Sequence, residues 1–411
     1  MSIATDTFCG RATEQLAIAE ALDPTKPGQK GIALCGIGGS GKTQLALRYI
    51  EQHRQLYAAV IWINASSTQH TAQSFVEAAD MISSYWPSRD CPLTYAGPSN
   101  WLKVVTRLRS TCYTRWLLII DSVDDLNQDN FRQYIPSCNY GSIIVTSTQN
   151  QAPEVFRLLR LEVARLDPNS SRELLLTCAF GSIDNTPISE DGKDSSRPVK
   201  RFSNDYLDSR LATAIVSELH GLPLAIEQAG ALLRTVFSLS EFVSAYRTHY
   251  RLLMSKYPSE GILSYDKQRS IITVFEMLFQ SIKTRNPEAA ALLIFTAILG
   301  PWQIPVSLMD QFPLNEITFH DPMDEDTKAL TTVLENNTVL RLALGDLASV
   351  CLVKLRRNRA SSCQTFSLHR AVCEWCVQRA ASEKKDWIIQ ATRTLALSIL
   401  SPTRRCVKLF Y

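Results

Sequence analysis

Eight consecutive residues, Gly36-Ile37-Gly38-Gly39-Ser40-Gly41-Lys42-Thr43, match the pattern G-x-x-x-x-G-K-[ST] and follow a short apolar run at 32–35. The chemistry such a loop performs is the gripping of phosphate. Its glycines let the backbone curl until successive N–H groups face inward, and a helix starting near Lys42 adds the positive end of its dipole. Lys42 is then placed to reach β- and γ-phosphates, and the Thr43 hydroxyl to hold Mg²⁺. Gln44, in the same helical turn, joins the candidate cofactor-binding residues. Chance produces this pattern in about one chain in a hundred of this length, so a Gly-rich turn with no ligand is the poorer reading.

A phosphate loop needs an acid to fix its metal. Asp121 terminates the apolar run Trp116-Leu117-Leu118-Ile119-Ile120. Alone it reads as a strand-end or capping aspartate; downstream of a phosphate loop it reads as the Walker B acid. Its carboxylate holds Mg²⁺ through water while Thr43 binds the ion directly. Lys42 and Asp121 are thus the candidate catalytic residues, and Thr43 and Asp121 the candidate metal ligands. Hydrolysis also needs a group that orients water, yet Ser122 follows Asp121 and acids return only at Asp124 and Asp125. Slow turnover is the expectation. The next apolar run ends in Thr146-Ser147-Thr148, whose hydroxyls, Thr146 first, are placed to sense a γ-phosphate.

The elements that must carry these groups are β-prone runs at 32–35, 60–64, 116–120 and 142–147, with a last one at 161–163, separated by helical stretches. Alternation of this kind implies an α/β P-loop NTPase fold with a parallel sheet covered on both faces. Unbroken apolar character at 116–120 suits a central strand. Beyond about residue 169 the pattern turns helical, with helices predicted at 171–180, 207–219, 222–233 and 240–253. Residues 181–205, rich in Ser, Asp, Gly, Pro and Lys, read as a mobile surface insertion. Further helices at 271–283, 287–299 and around 327–344 precede two strand-like runs, 348–355 and 364–368, and a helix at 370–381. Helices followed by a strand hairpin suggest a winged-helix domain. The expected organisation is a nucleotide-binding domain over 1–166, a helical domain over 167–265, a winged-helix domain over 266–384 and a tail over 385–411.

Composition narrows the function. With 411 residues and 45% hydrophobic content, the chain can bury several cores. A net charge of +3 is too small to attract nucleic acid or membrane surfaces generally. The longest apolar run, 289–299, is short of the roughly 18 residues that span a bilayer. Residues 1–10 lack the pattern of a secretory signal, so a cytoplasmic location is expected. Eleven scattered cysteines then imply free thiols. His369, Cys373 and Cys376 share one helical face with Cys363 nearby, a conceivable metal set, but a buried face commonly carries Cys as a small apolar residue.

With these motifs in order, residues 8–381 resemble the NB-ARC module of the signal-transducing STAND ATPases. That module is the nucleotide switch of apoptotic-protease activators, plant disease-resistance proteins and fungal NOD-like receptors. Phe8-Cys9-Gly10-Arg11-Ala12-Thr13-Glu14 is similar to the family's N-terminal motif, which implies Arg11 near the nucleotide base. Val60-Ile61-Trp62-Ile63-Asn64 resembles its second-strand motif. His220-Gly221-Leu222-Pro223-Leu224-Ala225 matches the GLPLA motif, implying that Pro223 packs by adenine. Ser367-Leu368-His369 stands at the Met-His-Asp signature, implying a histidine on the β-phosphate of ADP. Two positions depart: Thr148 where many members place an arginine that reports on γ-phosphate, and Arg370 where many have Asp. Both imply a bias toward ADP or weak switching.

The resemblance implies an ADP- or ATP-binding switch with Mg²⁺, its nucleotide clasped by three domains, acting in signalling, innate immunity or programmed cell death. Partner proteins or self-oligomerisation on activation are implied, with no membrane and no nucleic acid among the partners. No effector domain fits before Phe8 and no sensing repeats follow Ala381. The chain therefore reads as a lone switch, a truncated product or a partner for other subunits. The rival reading is an AAA-type ATPase whose winged helix contacts DNA, with the Arg356, Arg357 and Arg359 turn as its contact.

Overall fold

Every residue of the strand Trp116–Asp121 is buried, and its side chains divide between two cores. Leu117 and Ile119 pack with Ile18, Leu45, Tyr49 and Ile50 on one face, while Trp116, Leu118 and Ile120 pack with Phe75, Ala78 and Val104 on the other. Successive side chains of a strand point to opposite faces, so a strand buried on both must be apolar throughout. Each such side chain stabilises by about 1.5–3 kcal/mol relative to exposure. At the far end of the strand, Gly141 (φ 84°) lies against the Trp116 ring. A Cβ there would come within 2.2 Å of that ring, so no larger residue fits.

The computed structural model describes residues 7–23, 25–85, 100–109, 115–124, 131–181, 206–256, 269–300, 304–310, 325–357 and 364–382. Residues 182–205 of the expected insertion, the turn at 358–362, Cys363, Asp125 and the tail at 385–411 lie outside the described residues. The chain divides into two units, Met1–Ser170 and Ser171–Tyr411.

In the first unit, β1 (Lys30–Cys35), β2 (Ala59–Asn64), β3 (Trp116–Asp121), β4 (Ser142–Ser147) and β5 (Leu159–Glu162) form a parallel sheet in the order β2-β3-β4-β1-β5. This is the expected parallel α/β fold. The last strand starts two residues earlier than the apolar pattern predicts and stops before Val163. It is an edge strand, and its Leu159, Arg160 and Glu162 are exposed, so apolar content traces it poorly.

In the second unit the helix Pro287–Leu299 is central, with nine consecutive buried residues from Ala289 to Ala297. The helices Arg269–Arg285, Glu325–Glu335, Asn337–Ser349 and Arg370–Ser382 pack around it. A three-stranded antiparallel sheet, in the order β6 (Ile304–Pro305), β8 (Gln364–Leu368), β7 (Val353–Arg357), completes this region. The single helical stretch expected around 327–344 is two helices. Asn336 caps the second, its side chain accepting from the N–H of Thr338 and Val339. The strand expected from 348 begins at Val353, because the preceding helix runs to Ser349 and turns through a left-handed Cys351 (φ 59°).

Candidate functional site

Strand β1 delivers the chain to Gly36, whose N–H donates to Ser147 O of β4 at 3.2 Å. A Cβ on Gly36 would stand 2.5 Å from Val163 O, so the loop must leave the sheet through a glycine. Gly39 (φ 78°) and Gly41 (φ 94°) take left-handed conformations that L side chains rarely adopt. The loop then closes with Ser40 N–H donating to Ile37 O at 3.2 Å. The helix Lys42–His53 follows, and no side chain caps its N-terminus. An uncapped helix start beside curled amides is suited to an anion. The Lys42 ammonium turns back over the loop, donating to Gly36 O at 2.8 Å and Ile37 O at 3.0 Å. Gln44 lies one residue beyond Thr43 in that first turn and is half-buried.

Across the sheet edge, three elements converge on one carboxylate. Asp121 Oδ1 accepts from Thr43 Oγ1 at 2.8 Å and from Thr146 Oγ1 at 2.6 Å. The strand order explains this: β4 lies between β1 and β3, so Thr146 stands between the phosphate loop and the acid. Thr146 Oγ1 also accepts from Ser122 N–H at 2.8 Å. That bond holds Ser122 in a left-handed conformation (φ 65°), which costs on the order of 1 kcal/mol or more in a non-glycine residue. Burial pushes the Asp121 carboxyl above the usual aspartate range, opposed by the hydrogen bonds from Thr146 and Thr43 and by the Lys42 charge. A buried acid bonded to the hydroxyl next to Lys42 is the donor set a hard divalent cation takes.

Sequence reasoning marked Asp124 and Thr148 for their positions but missed their union. Asp124 Oδ1 accepts from both the N–H and the hydroxyl of Thr148, each at 2.7 Å. Asp124 is therefore held at the end of β4. Ser147 likewise donates its hydroxyl to Val123 O. Arg11, which the resemblance implies is near a base, has its guanidinium on Ser40 O, Ala164 O and Glu14.

Pro223 and His369 belong to the second unit. The helix Tyr206–Glu218 ends in two left-handed residues, His220 (φ 54°) and Gly221 (φ 65°), with Gly221 N–H donating to Val216 O. Pro223 then occupies the first turn of the helix Pro223–Thr235, where its missing N–H costs nothing. His369 is exposed and starts the helix Arg370–Ser382, its Nδ1 accepting from Ala371 N–H at 3.2 Å. Arg370 pairs along its own helix with Glu374. That helix is anchored by the Arg379–Glu276 ion pair and by Trp375 against Phe275 and Phe279. The Pro223 helix is tied to the same region: Gln228 Nε2 donates to Cys351 O at 2.9 Å and Arg234 Nη2 to Ser349 O at 2.6 Å. Cys373 and Cys376 are buried, and burial pushes the Cys373 thiol up to about 12.

No protein-family profile matches the chain. It is 26% identical over 330 residues to a nucleotide-binding leucine-rich repeat (NLR)-like protein from Hyaloscypha variabilis, covering 74% of this chain and 30% of that one. The chain thus spans less than a third of that relative's length. Among solved structures it resembles a STAND protein with a tetratricopeptide repeat sensor from Pyrococcus horikoshii, with a TM-score of 0.53 and 14% identity over 98% of this chain and 47% of that one. A superposition on Cdc6p from Pyrobaculum aerophilum reaches a TM-score of only 0.33 at 12% identity, covering 91% of this chain and 97% of that one, too distant to carry an argument. No described helix is long and apolar enough to cross a membrane. The chain is thus similar to an NLR-like protein and shares its fold with a STAND protein, in line with the motifs along the chain.

Proposed function

We propose that the protein is a cytoplasmic signalling switch that binds ADP or ATP with Mg²⁺ and hydrolyses ATP slowly at most. One observation carries this reading: the Thr43 hydroxyl bonds to the Asp121 carboxylate at 2.8 Å, beside a Gly-rich loop on which Lys42 is folded. Lys42 and the loop amides from Gly36 to Thr43 would hold the phosphates, and Thr43 and Asp121 the ion. Mg²⁺, when bound, supplies charge neutralisation at the phosphates. Slow turnover is supported by Ser122 following Asp121 and by the engagement of Asp124 Oδ1 with Thr148.

The roles of Pro223 at the adenine and His369 at the β-phosphate rest on the motif resemblance, as does the three-domain division of the chain. A histidine–phosphate hydrogen bond contributes about 1.5–3 kcal/mol, whereas moving a population from 1:99 to 99:1 takes about 5.5 kcal/mol. His369 is therefore one part of a latch whose remainder is packing. Partner proteins or self-association would disturb that packing on activation. Single-turnover phosphate release tests the reading: turnover far below the 1–10³ per second of ordinary enzymes is expected, and brisk release without a partner overturns it.

A further inference from the structure

Arg11 precedes the helix Ala12–Ala21 in a left-handed conformation, φ 66° and ψ 23°, uncommon for a residue with a long side chain. Its side chain is only 6% exposed. Through Nη2 it donates to Ser40 O within the phosphate loop, at 3.0 Å, and to Ala164 O just past β5. Through Nη1 it meets Glu14 Oε1 at 2.6 Å. One planar fork thus joins three segments distant in sequence, a geometry that a guanidinium supplies and an ammonium does not.

The rest of the loop shows why that brace matters. Ser40 is wholly buried and its hydroxyl has no hydrogen-bond partner, so Ser40 is anchored through its backbone. Its N–H reaches Ile37 O and its carbonyl reaches Arg11. In a trans peptide the carbonyl and the following N–H point opposite ways. Drawing Ser40 O toward Arg11 therefore turns the Gly41 N–H away from Arg11, and Gly41 has the left-handed freedom to accept that orientation.

We propose that Arg11 is a positioning residue for the phosphate site: its guanidinium braces the loop through the Ser40 carbonyl, setting the loop amides for a polyphosphate whatever base is attached. The inference rests on the nucleotide reading above. With three oxygen acceptors already on the guanidinium, Arg11 contributes to phosphate affinity and leaves base selection to other groups.

Calorimetry with ADP, GDP and inorganic tripolyphosphate on the full chain tests it, using Arg11→Ala and Arg11→Lys. Arg11→Ala should weaken all three by a similar factor of about ten or more, with Arg11→Lys between it and the wild type. A loss confined to ADP, or no loss, overturns the proposal. A second arm needs no nucleotide: in ligand-free protein, amides of 36–43 should exchange hydrogen faster in Arg11→Lys while those of β3 and β4 keep wild-type rates. Unchanged exchange at 36–43 overturns the brace. If Arg11→Ala does not fold, Arg11→Lys carries both arms. A wild type that binds none of the three probes sinks the nucleotide reading, while the exchange arm still decides the brace.

Discussion

At the C-terminal edge of the parallel sheet, side chains from three elements meet on one carboxylate, whereas in the helical unit Pro223 and His369 each serve the helix they begin. Thr43, Thr146 and Asp121 come from a helix and two strands, and their bonds to one another fix the geometry. Pro223 fills a first-turn position and His369 caps through Nδ1. The difference teaches that the phosphate half of this comparison is built by topology, since β4 between β1 and β3 brings its members together. Pro223 and His369 are local helix starts, the Pro223 helix packing on Arg269–Arg285 and the His369 helix on Pro287–Leu299.

Breaking the phosphate half should have the largest effect. Lys42→Ala should reduce ADP binding below calorimetric detection, because the loop loses its ammonium; tight residual binding would contradict the site. In the second region, His369→Asn keeps a good N-cap and removes only the imidazole. Stopped-flow release of a fluorescent ADP analogue should then speed up about ten- to a hundredfold, the range of one charged hydrogen bond. An unchanged rate would confine His369 to capping.

Asp121→Asn separates stability from function. The amide oxygen still accepts from Thr43 and Thr146, but the buried charge is gone. Mg²⁺ should no longer tighten nucleotide binding, while the ligand-free melting temperature at pH 7 should rise by about 2–4 °C, the shift of ~1 kcal/mol in a domain of this size. The sign follows from the raised carboxyl. Between the ordinary aspartate value and the raised one, the native state binds more protons than the unfolded state, so wild-type stability falls as pH rises through that window. The advantage of the variant should therefore shrink as pH is lowered through it. Asn336→Ala, far from any phosphate, should cost about 1 kcal/mol as a lost cap, lowering the melting temperature by about 2–4 °C and leaving ADP affinity unchanged.

The same contrast governs what was legible in the sequence. The loop at 36–43 and Asp121 were readable because glycines, Lys-Thr and an acid after an apolar run are local patterns. The strands at 142–147 and 364–368 matched their apolar runs residue for residue. The Asp124–Thr148 lock and the reach of Arg11 to Ser40 and Ala164 join residues far apart in the chain, and no local pattern announces them. Asn336 carried a usable signal, an Asn-Asn-Thr cap inside an otherwise periodic helical stretch. The edge strand β5 was read two residues late and the two-residue β6 was missed, because neither needs a long apolar run.

The central claim is that a nucleoside diphosphate sits on the loop that Lys42 closes. Acid extraction of freshly purified protein, followed by ion-exchange quantification beside Lys42→Ala, tests it most directly. Close to one ADP per chain in the wild type and none in the variant is the predicted result. Folded wild-type protein that carries no nucleotide and takes up none when ADP and Mg²⁺ are added would contradict it.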